Sequence, residues 1–188
     1  MATSSNGTDH PLEEYREYLY LLARLESDQR FQGKLDLSGV VQQTLLEAHQ
    51  GLAEFRGQRE GQRAAWLRRI LANNLTDEMR RLVAASRDVT REQSLEAALD
   101  DSSCRLQACL AADESSPSCK VMREEQLLRM ADALTRLPED QRRAVELHHL
   151  KGQPLAQVAA DMGRSKGAVA SLVFRGLENL RAMLQEKG

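Results

Sequence analysis

Apolar residues recur along this chain at helical spacing, with no run of the alternation that marks a strand. In "LEEYREYLYLLARLE", Leu12, Tyr15, Leu19, Leu22 and Leu25 fall on one stripe. In "SGVVQQTLLEAHQGLAEF" the stripe is Val41, Leu45, Ala48, Leu52 and Phe55, with Ser38 placed as a cap. "FRGQREGQ" interrupts the pattern with two glycines and predicts a loop. "RAAWLRRILANNLTDEMRRLV" then turns Trp66, Leu67, Ile70, Leu71, Leu75, Met79 and Leu82 toward a core. From Ala84 to Lys120 short apolar clusters mix with Ser, Asp and Pro, which predicts an exposed linker holding at most short helices. The pattern resumes in "VMREEQLLRMADALTRL", through Leu127, Met130, Ala131, Leu134 and Leu137. Pro138 suits the first turn of the next helix, Glu139 and Asp140 suit its positive end, and Gly152 suits its stop. "PLAQVAADMG" gives a short helix, "RS" a turn and cap, and "KGAVASLVFRGLENLRAMLQ" a long last helix. The expectation is an all-α chain of two small helical domains, 12–83 and 122–188, joined by a linker over 84–121.

Composition agrees, since Leu, Ala, Glu, Arg and Gln dominate and all favour helices. Residues 1–11, "MATSSNGTDHP", read as a disordered leader without the order of a secretory signal. No apolar run is long enough to cross a bilayer, so the expected compartment is the cytoplasm. The net charge of −2 argues against a general nucleic-acid coat, and distribution says more. Arg56 to Arg81 holds seven basic and three acidic residues, whereas Ala84 to Glu125 holds five basic and nine acidic. From Gln126 onward there are ten basic and seven acidic, so an acidic middle is flanked by balanced or basic blocks.

Two constellations could contact nucleic acid. The short helix, the Gly163 turn and the last helix have the lengths of a helix-turn-helix. On the last helix Val169, Val173, Leu177, Leu180 and Leu184 share a face, with Gly176 and Met183 beside it. Gly167, Ala168, Ser171, Arg175 and Glu178 lie opposite, and Arg164, Ser165 and Lys166 sit at the N-terminal end, where free backbone N–H groups favour a phosphate. Ser171 and Arg175 can donate to base edges. The same spacing also fits a helical hairpin with a solvated face. The second constellation is Trp66 among Arg63, Arg68, Arg69, Arg80 and Arg81, which could stack on a base and pair with phosphates; it equally fits a core Trp and a solvated Arg face.

Other chemistry finds no support. His148 and His149 are adjacent, so on a regular helix they point apart, and Cys104, Cys109 and Cys119 lack paired spacing. Neither predicts a metal site, and no cofactor is expected. The three cysteines are expected to be ordinary thiols. No phosphate loop, nucleophile elbow or catalytic triad is present, so the chain is not expected to be an enzyme.

The order of motifs resembles the extracytoplasmic-function (ECF) sigma factors, small two-domain initiation factors of bacterial RNA polymerase in the sigma-70 family. "DLSGVVQQTLLEAHQGLAEFRG" (36–57) is similar to their region-two pattern, and "AAWLRRILANNLTDEMRR" to the Trp-Leu-x-Arg-Ile-x-x-Asn stretch that follows. "ALTRLPEDQRRAVELHHLKGQPLAQVAADMGRSKGAVASLVFRGLENLRAML" resembles region four. The "AVAxLxxRGLxxLR" form and the "SLEAAL…LAADESSPS" linker look most like groups common in planctomycetes. The resemblance runs from about Tyr15 to Leu184.

The resemblance implies a factor that binds core polymerase, recognises two promoter elements and assists strand opening. Asp36, Val40, Val41, Gln42, Thr44 and Leu45 would dock on the clamp helices of the largest subunit. Arg56, Gly57, Gln58, Arg63, Trp66, Arg69, Asn73 and Arg80 would meet the minus-ten element, with the loop after Phe55 holding a flipped base. Arg164, Ser165, Lys166, Gly167, Ala168, Ser171 and Arg175 would meet the upstream duplex element, while the first helices of region four bind the polymerase flap. The acidic linker would thread channels that otherwise hold nucleic acid. An anti-sigma protein would occlude these surfaces between uses. The chain departs from the pattern at Gly39 and Gln43, where the family has carboxylates, which leaves Asp36 as the main acid of the docking face. It departs again at Ala168, Ala170 and Leu172, which shifts promoter reading toward Arg164, Lys166, Arg175 and DNA shape. The alternatives are a stand-alone helix-turn-helix regulator and an interaction adaptor that binds no DNA.

Overall fold

A computed structural model describes residues 11–27, 34–55, 62–82, 90–111 and 124–185, which are helices and short connections with no strand among them. They divide into two compact units, Met1–Asp100 and Asp101–Gly188.

In the first unit a 3₁₀ turn (Leu12–Tyr15) leads into α1 (Arg16–Glu26), followed by α2 (Leu37–Gly51) and α3 (Gln62–Leu82). The expected α1 stripe is buried, and so are Tyr18, Leu21 and Ala23 beside it. That wider face follows from position, because α1 packs on both α2 and α3 and must bury two adjoining sides. Asp36, not Ser38, caps α2, with its Oδ1 accepting from the Gly39 N–H at 2.9 Å. Val40, Val41, Thr44, Leu45 and Ala48 are buried, but the helix ends at Gly51 and leaves Leu52 36% exposed. On α3, Leu67, Leu71, Leu75 and Met79 enter the core, whereas Leu82, expected there, is 40% exposed at the helix end. The buried hydroxyls of Thr44 and Thr76 donate to the carbonyls of Val40 and Ala72, each at 2.8 Å, so the core holds them satisfied.

The expected linker contains a 22-residue helix, α4 (Thr90–Ala111), rather than short pieces, and residues 84–89 and 112–121 lie outside the described set. Leu95, Leu99 and Leu106, at helical spacing, are buried, so this segment is not uniformly exposed.

The second unit contains α5 (Glu124–Thr135), α6 (Glu139–Val145), α7 (Leu155–Met162) and α8 (Lys166–Gln185). Pro138 stands just before α6 with extended ψ (140°), one place earlier than expected, because it closes the turn from α5. After Val145 the helix widens into a π turn, Glu146–Leu150, closed by the Lys151 N–H on the Glu146 carbonyl at 2.9 Å. The wider turn brings the His148 and His149 rings edge to face at 4.8 Å, where a regular helix would part them. Gly152 stops the element with φ +67°, a conformation that favours glycine. Ala144, Val158, Ala159, Val169 and Val173 form a core uniting α6, α7 and α8.

Candidate nucleic-acid interface

The connection between α7 and α8 is set by two local residues. Gly163 takes φ +62°, ψ 34°, and the Arg164 N–H then reaches the Ala159 carbonyl at 3.0 Å. A Cβ on Gly163 would meet nothing within 4 Å, so the backbone angle, not space, requires glycine. Ser165 starts α8, its Oγ accepting from the Ala168 N–H at 3.2 Å. Val169, Val173, Gly176 and Leu180 are buried against the unit, while Leu177, Met183 and Leu184 are half-buried. Gly176 lies so close to α6 that a Cβ there would stand 2.7 Å from Val145 Cγ2.

This packing exposes all seven residues expected at the upstream element: Arg164, Ser165, Lys166, Gly167, Ala168, Ser171 and Arg175. Arg164 to Ala168 stand at the positive end of a 20-residue helix, where backbone N–H groups and the macrodipole favour an anion, and Ser171 and Arg175 lie further along it. Their side chains are not equally available. Arg164 is paired with Asp140 of α6 at 2.6 Å, and the Ser171 hydroxyl donates to the Gly167 carbonyl at 3.1 Å. Lys166 and Arg175 make no ion pair among the described residues. Phe174, absent from the expected set, is 61% exposed on the same outward side. The sequence carried a signal for it, because position 174 follows Gly167 and Ser171 at i+7 and i+3, opposite the buried stripe.

In the first unit, Trp66, Arg69, Asn73 and Arg80 recur at i, i+3, i+7 and i+14 on α3; Trp66 is half-buried and the other three are exposed. Arg80 has Asp77 at 3.5 Å, and Arg63 is half-buried at the start of the helix. The Trp66 ring stacks on Phe55 with centroids 4.7 Å apart and planes at 25°, and its Cζ2 is 3.3 Å from where Gly51 would carry a Cβ. The indole is thus shared between core and surface, and it ties the end of α2 to the second turn of α3. Arg56, Gly57 and Gln58, expected between those ends, lie outside the described residues. Arg68 leaves the basic face altogether. Its guanidinium, 14% exposed, donates to the Tyr18 hydroxyl at 2.8 Å and to Asp100 at 2.5 Å. Burial pulls its pKa down, but Tyr18 and Asp100 outweigh that and hold it above the ordinary arginine value.

The model of the family described as sigma-70, region 4 matches residues 127–180, from α5 into α8. The chain is 30% identical over 149 residues to the ECF RNA polymerase sigma factor SigL of Mycobacterium tuberculosis, covering 79% of this chain and 75% of that one. It belongs to the ECF RNA polymerase sigma factors. The ECF RNA polymerase sigma-E factor of Haemophilus influenzae is 28% identical, covering 83% of this chain and 78% of that one. Among solved structures, the sigma factor RpoE in complex with the anti-sigma factor NepR, from Bartonella quintana, matches with 22% identity and a TM-score of 0.35, covering 93% of this chain and 94% of that one.

For this sigma factor the expected docking set on α2 divides by burial. Asp36 and Gln42 are exposed, but Val40, Val41, Thr44 and Leu45 are at most 6% exposed. Those four are the inward side of the helix and hold α2 on its own unit. The outward side carries Gln43, Leu46, His49 and Gln50 instead, with Leu46 52% exposed. Nor is Asp36 the main acid nearby. A groove of about 450 Å³ between α2 and α3 is lined by Asp36, Glu47, Asp77 and Glu78, with Arg81 held by Glu78 at 3.0 Å. Asp77 and Glu78 of α3 thus stand beside the acids of α2, which sequence spacing alone does not bring together. No helix among the described residues is long and apolar enough to cross a membrane.

Proposed function

We propose that this sigma factor works in the cytoplasm, bringing core polymerase to two-part promoters and assisting strand opening without chemistry of its own. The observation that carries the reading is the exposed N-terminal end of α8, fixed by the Gly163 turn and the Ser165 cap, with Lys166 unengaged there and Arg175 unengaged further along the exposed side. Such an end accepts a phosphate and admits a groove wall past Gly167 and Ala168. Arg164 joins once DNA phosphate replaces Asp140.

In the first unit, the outward stripe of α3 and residues 56–61, which the chain places between the stacked Phe55 and Trp66, meet the minus-ten element. A base pulled from the stack needs a rigid rim, and the stacked ring pair supplies one. The outward side of α2 and the acidic groove dock on the polymerase clamp, and the first helices of the second unit on its flap. The linker between the two domains follows polymerase channels that otherwise hold nucleic acid. An anti-sigma protein covers these surfaces between uses, and the closing "AVAxLxxRGLxxLR" form supports a planctomycete-like group.

Mixing the chain with core polymerase and genomic fragments, then mapping transcript starts, tests the reading. New starts that depend on the chain are expected, and no core binding with no new starts would overturn it. Arg175→Glu is expected to weaken use of the upstream element by about tenfold, the scale of one lost base or phosphate contact. A dimer bound to a palindrome without polymerase would instead establish the stand-alone regulator.

A further inference from the structure

The first half of α4 is pinned to the first unit by a shielded charge. Arg68 of α3 is 14% exposed, and its guanidinium joins three helices. Its Nη1 donates to the Tyr18 hydroxyl of α1 at 2.8 Å, and its Nε donates to the Asp100 carboxylate of α4 at 2.5 Å. Tyr18 is fully buried and Asp100 is 53% exposed, so the arginine is fixed from inside and closed from outside. Beside this pin α4 buries Leu95 and Leu99. The hold is otherwise light: α1, α2 and α3 pack closely on one another, and α4 makes no comparably close pair among the described residues. Over 95–101 the helix carries Glu96, Asp100 and Asp101 and no basic residue.

The place of the Asp100 carboxylate matters for the surface next to it. Arg69 follows Arg68 in the chain and is exposed on the stripe of Trp66, Asn73 and Arg80. Exposed Ala65 neighbours both arginines, three and four positions before them, and puts only a methyl there. Carboxylate and phosphate make the same forked contacts with a guanidinium, so one can take the place of the other. Removing the carboxylate from so shielded a charge is costly unless another anion arrives. We propose that the first half of α4 is an autoinhibitory strap: Asp100 fills an anion site at Arg68 in the free factor, and a phosphate of the opened strand fills it as the helix undocks. The proposal rests on the sigma-factor reading of the first unit. It adds an order of events, in which drawing the linker into polymerase and capturing the strand are coupled through one arginine that lies off the outward stripe.

The test uses holoenzyme reconstituted with the full chain on a promoter whose start the wild type has mapped. Asp100→Asn is expected to favour the open complex about threefold, the scale of a partly exposed ion pair. Arg68→Gln is expected to shorten open-complex lifetime about tenfold, the scale of a hydrogen bond to a charged group, and to cancel the gain from Asp100→Asn. It should also lower the salt slope by about 0.7, the share of one single-strand phosphate. The deciding variant exchanges the charges, Arg68→Glu with Asp100→Arg, which keeps an ion pair between α3 and α4 but sets a carboxylate against the phosphate. Hydrogen exchange in α4 should stay near wild type while open complexes are as short-lived as with Arg68→Gln. Wild-type lifetimes in the exchanged pair would make the contact a structural pin and overturn the proposal. So would Asp100→Asn holoenzyme that opens no more readily than wild type, a result that stands even where the Arg68 variants fail to fold. In either case transcript starts still depend on the chain if the sigma reading holds; if wild type maps no starts at all, both readings fall.

Discussion

Two glycines of α8 should respond to alanine in opposite ways. Gly167 is exposed in the first turn, and a Cβ there would meet nothing within 4 Å. Gly167→Ala therefore gains helix propensity, at most about 1 kcal/mol and less near a helix end. Gly176 is buried, and a Cβ there would stand 2.7 Å from Val145 Cγ2, 3.4 Å from the Gln141 carbonyl oxygen and 3.5 Å from Gln141 Cβ. Val145 is β-branched and fully buried, so its methyl has no solvent to move into, and α6 and α8 must separate. Overpacking of this kind costs about 1–3 kcal/mol. Set against the same propensity gain, Gly176→Ala should destabilise the second unit by up to about 2 kcal/mol. Urea unfolding of the full chain, with hydrogen exchange of α6 and α8 amides to isolate the second unit, reads both variants. Adding Val145→Ala should make Gly176→Ala less costly than in the wild type, since the second change vacates the space the first one fills. Gly176→Ala stabilising by as much as Gly167→Ala would refute the reasoning, because propensity alone would then describe the site.

Three further outcomes follow from the pairings described above. Asp140→Asn removes the partner of Arg164, a surface pair worth less than about 1 kcal/mol, so folding should be unchanged. DNA affinity should rise about two- to threefold and fall more steeply with salt, and an unchanged salt slope would mean Arg164 meets no phosphate. Trp66→Ala should slow promoter opening more than promoter binding, with a pre-opened template restoring activity; failure of that template to rescue would place the defect in folding or docking. Burial and the neighbouring His148 lower the pKa of His149 below its ordinary value of about 6.5. The neutral ring is then favoured in the fold, so its contribution is present above about pH 6.5 and is lost as pH falls through the lowered value. Thermal unfolding from neutral to mildly acidic pH should show His149→Gln losing less stability than wild type.

The sequence by itself determined most of the helices, the main buried stripes and the turn before α8, but not the helix over 90–111 or the exposed ends at Leu52 and Leu82. Those it did determine depend on a period of 3.6 residues and on local chemistry at Gly163 and Ser165, both of which a single strand of text preserves. It also determined the family, because three motifs in order survive at the level of residue types. Tertiary packing decided which of those residues remain available. Arg68 reads as one more arginine of a basic face until Tyr18 and Asp100, 50 and 32 positions away, draw it inward. Val41 and Leu45 lie on the predicted stripe of α2, and packing against α1 and α3 buries Val40 and Thr44 beside them while Asp36 and Gln42 stay exposed. The acidic groove unites Asp36 and Glu47 with Asp77 and Glu78 because α2 lies along α3. Such pairings join residues that have no fixed spacing along the chain, so hydrophobic periodicity does not encode them, and the structure alone supplies the partner that each charge meets.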